Sequence, residues 1–151
     1  MARESSPVGR GKSAGKFLIM TVIESTAQIN LPVEKIYAFL ADMNHHQQLM
    51  PDNIYNWSST ANEASFTIQN MAKLAIIVSD RIENQEITAI PKEKAPFDIE
   101  LKWLLKANDD GTTTAKHIIS ADLNMMMKML AAGPLQKLAD HQTAQLKAIL
   151  G

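Results

Sequence analysis

Few side chains in this sequence are suited to acid–base chemistry, and His117 is the most prominent of them. It lies in an alternating segment, residues 112–123, in register with the apolar residues Ala115, Ile119, Ala121 and Leu123. If that set faces the interior, the imidazole could hydrogen-bond the polar head of a ligand or exchange a proton near neutral pH. The opposite face of the segment also mixes polar and apolar residues, so a purely structural histidine remains the alternative.

Charged residues gather around one predicted hairpin, where Asp80 and Arg81 are followed by Glu83 and Glu86. Alternation directs Asp80 and Arg81 to opposite faces of their strand. Arg81 is the better candidate for holding an anionic head group, because a guanidinium forms charge-assisted hydrogen bonds. Tyr55 is a second candidate anchor, since its ring combines apolar area with a polar hydroxyl. Hairpin ends are normally solvated, so a surface role is the alternative for this group.

The sequence offers few residues that could bind a metal or a cofactor or act as a nucleophile. The chain has no cysteine, which excludes disulfides, thiolate metal sites and a thiol nucleophile. His45 and His46 are adjacent on a predicted helix and point about 100° apart, which hinders chelation of one ion. Asp42 stands four residues before His46 and is expected to pair with it on the surface. We predict no metal, no cofactor and no assigned catalytic residue.

Composition restricts the partners. The chain has 151 residues, 46% of them hydrophobic, which predicts one globular domain. Its 15 Lys and Arg balance 16 Asp and Glu, so no positive field favours nucleic acid or an anionic membrane. No segment approaches the roughly 18 apolar residues of a membrane span. Cysteine usage fits a cytoplasmic protein.

The first 19 residues differ from the rest. They hold four basic residues against one acidic residue, a net charge of +3. We expect a disordered basic tail at 1–19 and a single domain at 20–151. A secretory leader is the less favoured interpretation, because the apolar run from Phe17 to Met20 is short and has no small-residue cleavage site after it.

Hydrophobic periodicity predicts one strand, two short helices, six strands and a closing helix. Pro32 and Pro134 suit the first turns of the first and last helices. Asn44 is expected to cap the second helix, which ends before Pro51. The predicted strands cover 21–31, 54–58, 64–69, 72–82, 86–90, 97–106 and 112–123, and the closing helix runs from the turn at Pro134 to Gly151.

This order predicts an α+β fold, in which two short helices follow the first strand of a strongly bent, seven-stranded antiparallel sheet. A long C-terminal helix is expected to cover its concave face. Several inward strand positions are small, namely Ser25, Ala27, Ala64, Ala115 and Ala121. Small wall residues leave room, so we predict a partly open cavity between the sheet and the last helix.

The segments 29–37 and 39–42, with the closing helix around Leu146 and Lys147, resemble the START-like superfamily over residues 20–151. This superfamily is also called SRPBCC, and it includes polyketide cyclases/dehydrases, lipid-transport proteins and the birch-pollen allergen. The resemblance implies the helix-grip fold, with a cavity suited to a lipid, sterol or polyketide. It does not imply one activity, because members include carriers, cyclases, hormone receptors and co-chaperone-like modules.

We therefore predict binding or transport of a small hydrophobic, lipid- or polyketide-like ligand rather than catalysis. The cavity walls are expected to be Phe66, Ile68, Phe97, Ile99, Leu101, Trp103, His117, Ile119, Leu138, Gln142 and Leu146. Adaptable methionines, chiefly Met126 and Met129, are expected at the entrance, on the segment that joins sheet to helix.

Two alternatives stay open. One is a cyclase/dehydratase-type enzyme that uses His117 or Arg81 in the same cavity. The other is an interaction module with a filled core, in which the methionine-rich run 125–129 contacts a second copy of the chain or another protein.

Overall fold

A computed structural model describes residues 19–151 of the chain. Most of the predicted basic tail, residues 1–18, lies outside the described residues. Helices and strands follow the order β1 (Ile19–Ile29), α1 (Val33–Leu40), a 3-10 helix (Met43–Leu49), β2 (Ile54–Ser59), β3 (Glu63–Ile68), β4 (Ala72–Ile82), β5 (Glu86–Pro91), β6 (Ile99–Ala107), β7 (Thr113–Leu123) and α2 (Met125–Leu150).

The seven strands form one antiparallel sheet in the order β1-β7-β6-β5-β4-β3-β2. The sheet is open, so β1 and β2 are its two edges. The long helix α2 packs on β1 and β7 and also contacts the 3-10 helix. The predicted α+β helix-grip architecture is confirmed.

Alternation sets the inner face of β7. Ala115, His117, Ile119 and Ala121 are buried, whereas the residues between them are partly exposed. On the neighbouring strand β6, Trp103 pairs with His117 and Leu101 pairs with Ile119. Gly111 has φ of +84° in the turn before β7, a conformation that glycine adopts without steric cost. The register of β7 therefore places His117 on the covered side of the sheet.

Helix α2 begins at Met125, nine residues before Pro134. The sequence pattern had predicted that the first turn of this helix lies at Pro134. The side chain of Asn124 caps it, accepting a hydrogen bond from the Met127 N–H at 2.8 Å. Gly133 and Pro134 lie inside the helix on its exposed side, where water can hydrate the carbonyl group that loses its proline partner. The prediction of a helix from Pro134 was wrong, and the methionine run is the first turn of α2 rather than a connecting segment.

The core divides between the two halves of α2. Its first half packs Leu135 and Ala139 against β1, β6 and β7. Its second half packs Leu146 against α1 and the strand residues close to that helix. Small strand residues bring the helix close to the sheet: the hydroxyl oxygens of Ser25 and Thr143 are 2.7 Å apart. Ala115 and Ala121 are likewise fully covered. The small residues of β1 and β7 therefore accommodate the helix and do not leave the space that the sequence analysis expected there.

No helix within residues 19–151 is long and apolar enough to cross a membrane.

Candidate ligand-binding site

A cavity of about 40 Å³ lies between the sheet, α2 and the 3-10 helix. Five consecutive strands, β3 to β7, form its floor and walls. Its lining is mostly apolar and consists of Met43, His46, Met50, Phe66, Ile68, Leu74, Ile76, Ile87, Ala89, Ile99, Leu101, Trp103, His117, Leu135, Leu138 and Gln142.

The cavity holds roughly three water molecules at this volume, so a larger guest needs its walls to move. Most lining residues are buried on the sheet, but Met50, Leu101 and Leu138 are partly exposed. Methionine side chains have three rotatable bonds and repack at little cost. The side formed by Met50 and Leu138 is therefore the part of the wall best able to yield.

His117 is the most constrained polar residue of the lining. Its Nδ1 lies 3.1 Å from the Lys102 carbonyl oxygen, and its ring stacks on Trp103 at a centroid distance of 4.2 Å. Because a carbonyl oxygen only accepts hydrogen bonds, Nδ1 carries the proton and Nε2 is an acceptor. Nε2 is buried and has no hydrogen-bond partner among the described residues.

Burial is the main reason that the pKa of His117 is lowered to about 4. The hydrogen bond to Lys102 and the adjoining side chain of Gln142 act in the opposite direction, and the neighbouring His46 lowers the pKa further. The imidazole is therefore neutral at neutral pH. It can accept a hydrogen bond there, but it is a weak base.

Gln142 supplies a second buried acceptor from α2. Its Nε2 donates to the Met50 sulfur at 3.8 Å, and its Oε1 is buried without a partner among the described residues. Both Gln142 and His117 line the cavity. The polar part of an otherwise apolar wall thus presents two hydrogen-bond acceptors.

His46 also lines the cavity, although it was expected on the surface. Its Nε2 donates to the Leu40 carbonyl at 2.7 Å, and burial lowers its pKa. Asp42 pairs instead with His45, with 3.9 Å between Oδ2 and Nε2. The expected pairing of Asp42 with His46 was wrong because this helix is a 3-10 helix, in which the side chain three residues on, rather than four, is the neighbour.

Eight of the eleven predicted wall residues line the cavity, and the other three lie beside it. Phe66, Ile68, Ile99, Leu101, Trp103, His117, Leu138 and Gln142 line it. Phe97 and Ile119 are instead packed into the core beneath Leu135 and Ala139, and Leu146 is packed against α1. These three residues contact the helices directly, so no space opens beside them.

The structure places the predicted entrance and anchor residues away from the cavity. Met126 and Met129 are 71% and 79% exposed because α2 has already begun and turns them outward. The Arg81 guanidinium donates to the carbonyl oxygens of Ala41 and Ala61 at 2.8–3.0 Å, which ties β4 to the end of α1. Tyr55 is 44% exposed on the edge strand β2.

Sequence reasoning missed eight lining residues: Met43, His46, Met50, Leu74, Ile76, Ile87, Ala89 and Leu135. Strict alternation along β4 identifies the pair Leu74 and Ile76, so this signal was available. The contributions of the 3-10 helix depend on how it lies over the sheet, and no local pattern encodes that placement.

Other features of the described residues are weaker candidates for a binding site. A wider, shallower groove of about 310 Å³ lies on the outer side of β3 and β4, between Lys73, Glu93 and Lys94. These side chains are exposed, so the groove is open to solvent. Within residues 19–151 no group of three or more acidic or histidine side chains could hold a metal ion.

Solved structures share this architecture at low sequence identity. Zhui aromatase/cyclase from Streptomyces sp. R1128 is 11% identical with a TM-score of 0.70, over 87% of this chain and 94% of that chain. Norcoclaurine synthase from Thalictrum flavum is 7% identical with a TM-score of 0.66, over 88% and 87%. A START superfamily protein from Mycobacterium smegmatis is 16% identical with a TM-score of 0.61, over 85% and 98%.

No protein-family model matches the sequence, and no curated protein matches it either. The likeness to solved structures therefore concerns the fold. With the open seven-stranded sheet covered by α2, it shows that the chain has the START-like helix-grip fold.

Proposed function

We propose that this protein binds a small, mostly apolar ligand of lipid-like or polyketide-like character in the cavity between the sheet and α2. The observation that carries the proposal is an apolar cavity into which two buried acceptors, on His117 and Gln142, project without partners. Burial of a ligand's apolar surface contributes roughly 25 cal/mol per Å², before ordering costs. The Met50 and Leu138 side is proposed to move outward when the ligand enters.

A binding role is favoured over catalysis. An efficient general base has a pKa close to the working pH, whereas burial lowers the pKa of His117 to about 4. Arg81, the other candidate for a cyclase/dehydratase-type reaction, donates to backbone carbonyls outside the cavity. The named candidates for acid–base chemistry therefore do not form a working pair.

Filling the cavity tests the proposal. Ala89 lines the cavity and is 5% exposed, so Ala89→Leu places a larger side chain in the space. We expect native mass spectrometry of wild-type protein from its own host to show a bound small molecule, and Ala89→Leu to lose at least about tenfold in affinity for it. Ala107→Leu is the matched control, because Ala107 is exposed at the end of β6.

Circular dichroism and thermal melting establish that the variant is folded. Recovery of unliganded wild-type protein only, with no thermal stabilisation by a panel of lipids and aromatic polyketides, would contradict the proposal.

A second candidate function rests on an exposed apolar patch at the start of α2. Met125, Met126, Met129 and Leu130 are 60–79% exposed, while Met127 turns inward. Met20 and Val22, at the start of the edge strand β1, are also exposed, at the same end of the sheet. Apolar side chains grouped in this way are typical of contact surfaces, and the edge strand beside them favours a second copy of the chain as the partner.

Sedimentation analysis tests dimer formation. We expect concentration-dependent dimers of the wild-type protein and monomers of a Met126→Lys, Met129→Lys double variant. The matched control is Ala144→Lys with Ala148→Lys, since both alanines are exposed on the second half of α2. A wild-type protein that stays monomeric up to roughly millimolar concentration would exclude this function.

A further inference from the structure

We propose that the ligand of this cavity carries an uncharged hydrogen-bond donor directed at His117 Nε2 and Gln142 Oε1: a primary carboxamide, which can donate to both acceptors, or a hydroxyl, which can donate to one of them. The inference rests on the proposed function, because it specifies which apolar molecules the cavity selects. It follows from the orientation of two side chains and from the absence of a charged partner in the lining.

The orientation of His117 is fixed from two sides. The Lys102 carbonyl, 3.1 Å away, accepts from Nδ1, which leaves the lone pair on Nε2 directed away from the strand. Trp103 stacks on the ring with an interplanar angle of 13°. A flipped ring would lose the hydrogen bond to Lys102, so Nε2 is the atom presented as an acceptor.

Gln142 presents an acceptor for a similar reason. Its amide Nε2 is directed at the Met50 sulfur, 3.8 Å away, so the carbonyl oxygen Oε1 occupies the other position. Residue Gln142 is 5% exposed, and no hydrogen bond within residues 19–151 satisfies Oε1.

Two buried acceptors without donors are unfavourable in apolar surroundings. A water molecule can donate to both in the empty cavity. A ligand carboxamide that displaces this water can take over both hydrogen bonds, whereas a hydroxyl has one O–H and takes over one of them. An apolar ligand without a donor would leave both acceptors unsatisfied. The cavity therefore distinguishes molecules of equal apolar area by their donor.

Charged head groups do not fit this lining. A carboxylate is an acceptor and would face two further acceptors, while neutral His117 offers it no positive charge. An ammonium group would need a carboxylate partner in a buried site, and no aspartate or glutamate lines the cavity. The remaining polar residue, His46, already uses Nε2 in a hydrogen bond to Leu40.

A series of probes with one alkyl chain tests the inference: decan-1-ol, decanamide, decanoic acid and methyl nonyl ether, titrated near neutral pH. We expect the alcohol and the amide to bind at least about tenfold more tightly than the acid and the ether. The double variant His117→Phe, Gln142→Leu removes both acceptors and is expected to bring the alcohol and the amide within about twofold of the ether while the ether still binds. Gln145→Leu, at a partly exposed position on the same helix, is the matched control and should keep the preference.

The outcomes separate the two proposals. Equal binding of alcohol and ether, or tightest binding of the acid, would overturn the donor inference and leave the proposed function intact. Retention of the alcohol preference in the double variant, which lacks both acceptors, would also overturn it. If none of the four probes binds, the donor inference fails, whereas the proposed function is decided by the native mass spectrometry and the wider panel described above. Gln142→Leu alone removes one of the two acceptors and is expected to weaken binding of the amide while the ether binds as before, which keeps the inference open to refutation if the double variant does not fold. Unchanged binding of the amide to this variant would overturn the inference.

Discussion

At the scale of single residues, His117 links stability to pH. It is buried on β7 with its pKa lowered to about 4 from an ordinary value of 6.5. Between these values the unfolded chain binds a proton that the folded protein excludes, so the free energy of unfolding rises with pH across this window and falls on acidification. His46 acts in the same direction, because burial lowers its pKa too.

We expect His117 to account for roughly 2 kcal/mol of the stability lost between about pH 7 and pH 5. Urea unfolding at the two pH values measures this loss. In His117→Asn the difference between the two pH values should shrink by that amount, whereas His141→Asn, on a partly exposed position of α2, should leave it unchanged. An unaltered pH dependence in His117→Asn would refute the assignment.

Alternation along β7 groups His117 with Ala115, Ile119 and Ala121 but left its face undecided, and the structure buries that group. It could not predict which ring nitrogen is free, because the partner of Nδ1 is a carbonyl on β6, fifteen residues away. Alternation directs Asp80 and Arg81 to opposite faces but does not decide which of them faces inward. The register between β4 and β5 shifts between Val78 and Asp80, so that Arg81 pairs with the cavity-lining Ile87 and shares its face. A strand irregularity of this kind alters which face later side chains occupy.

At the scale of elements, the start of α2 depends on Asn124. Its Oδ1 accepts from the Met127 N–H at 2.8 Å, which satisfies one donor of the first turn. We expect Asn124→Ala to lower the free energy of unfolding by about 1 kcal/mol, measured by urea denaturation. Asn124→Ser, which retains a capping oxygen, is the control and should stay close to the wild-type value. Equal losses in both variants would contradict the cap.

Strands were predicted more accurately than helices. The predicted and observed bounds of the strands agree within two residues because period-two patterns and turn residues mark them. Gly133 and Pro134 are strong local stop signals, yet α2 runs through them. Packing of residues on both sides, from Ala131 to Leu146, against the sheet outweighs the local cost of one proline.

At the scale of the whole molecule, the topology could be predicted and the cavity volume could not. The order of strands and helices limits the arrangement to a sheet covered by the last helix. The empty volume is a small difference between large packed volumes, and it depends on how closely α2 approaches β1. Contacts such as that between Ser25 and Thr143 set this distance. The sequence around either residue does not predict the other as its partner.

The construction of the cavity has a consequence for selectivity. One side consists of strands joined by continuous ladders of backbone hydrogen bonds, and the opposite side includes a 3-10 helix that reaches the cavity through Met43, His46 and Met50. The sheet side of the cavity is therefore rigid, and the side with the 3-10 helix can adjust. The strands therefore limit the width and thickness of a bound ligand, whereas its length is limited by how far the Met50 side chain can move outward.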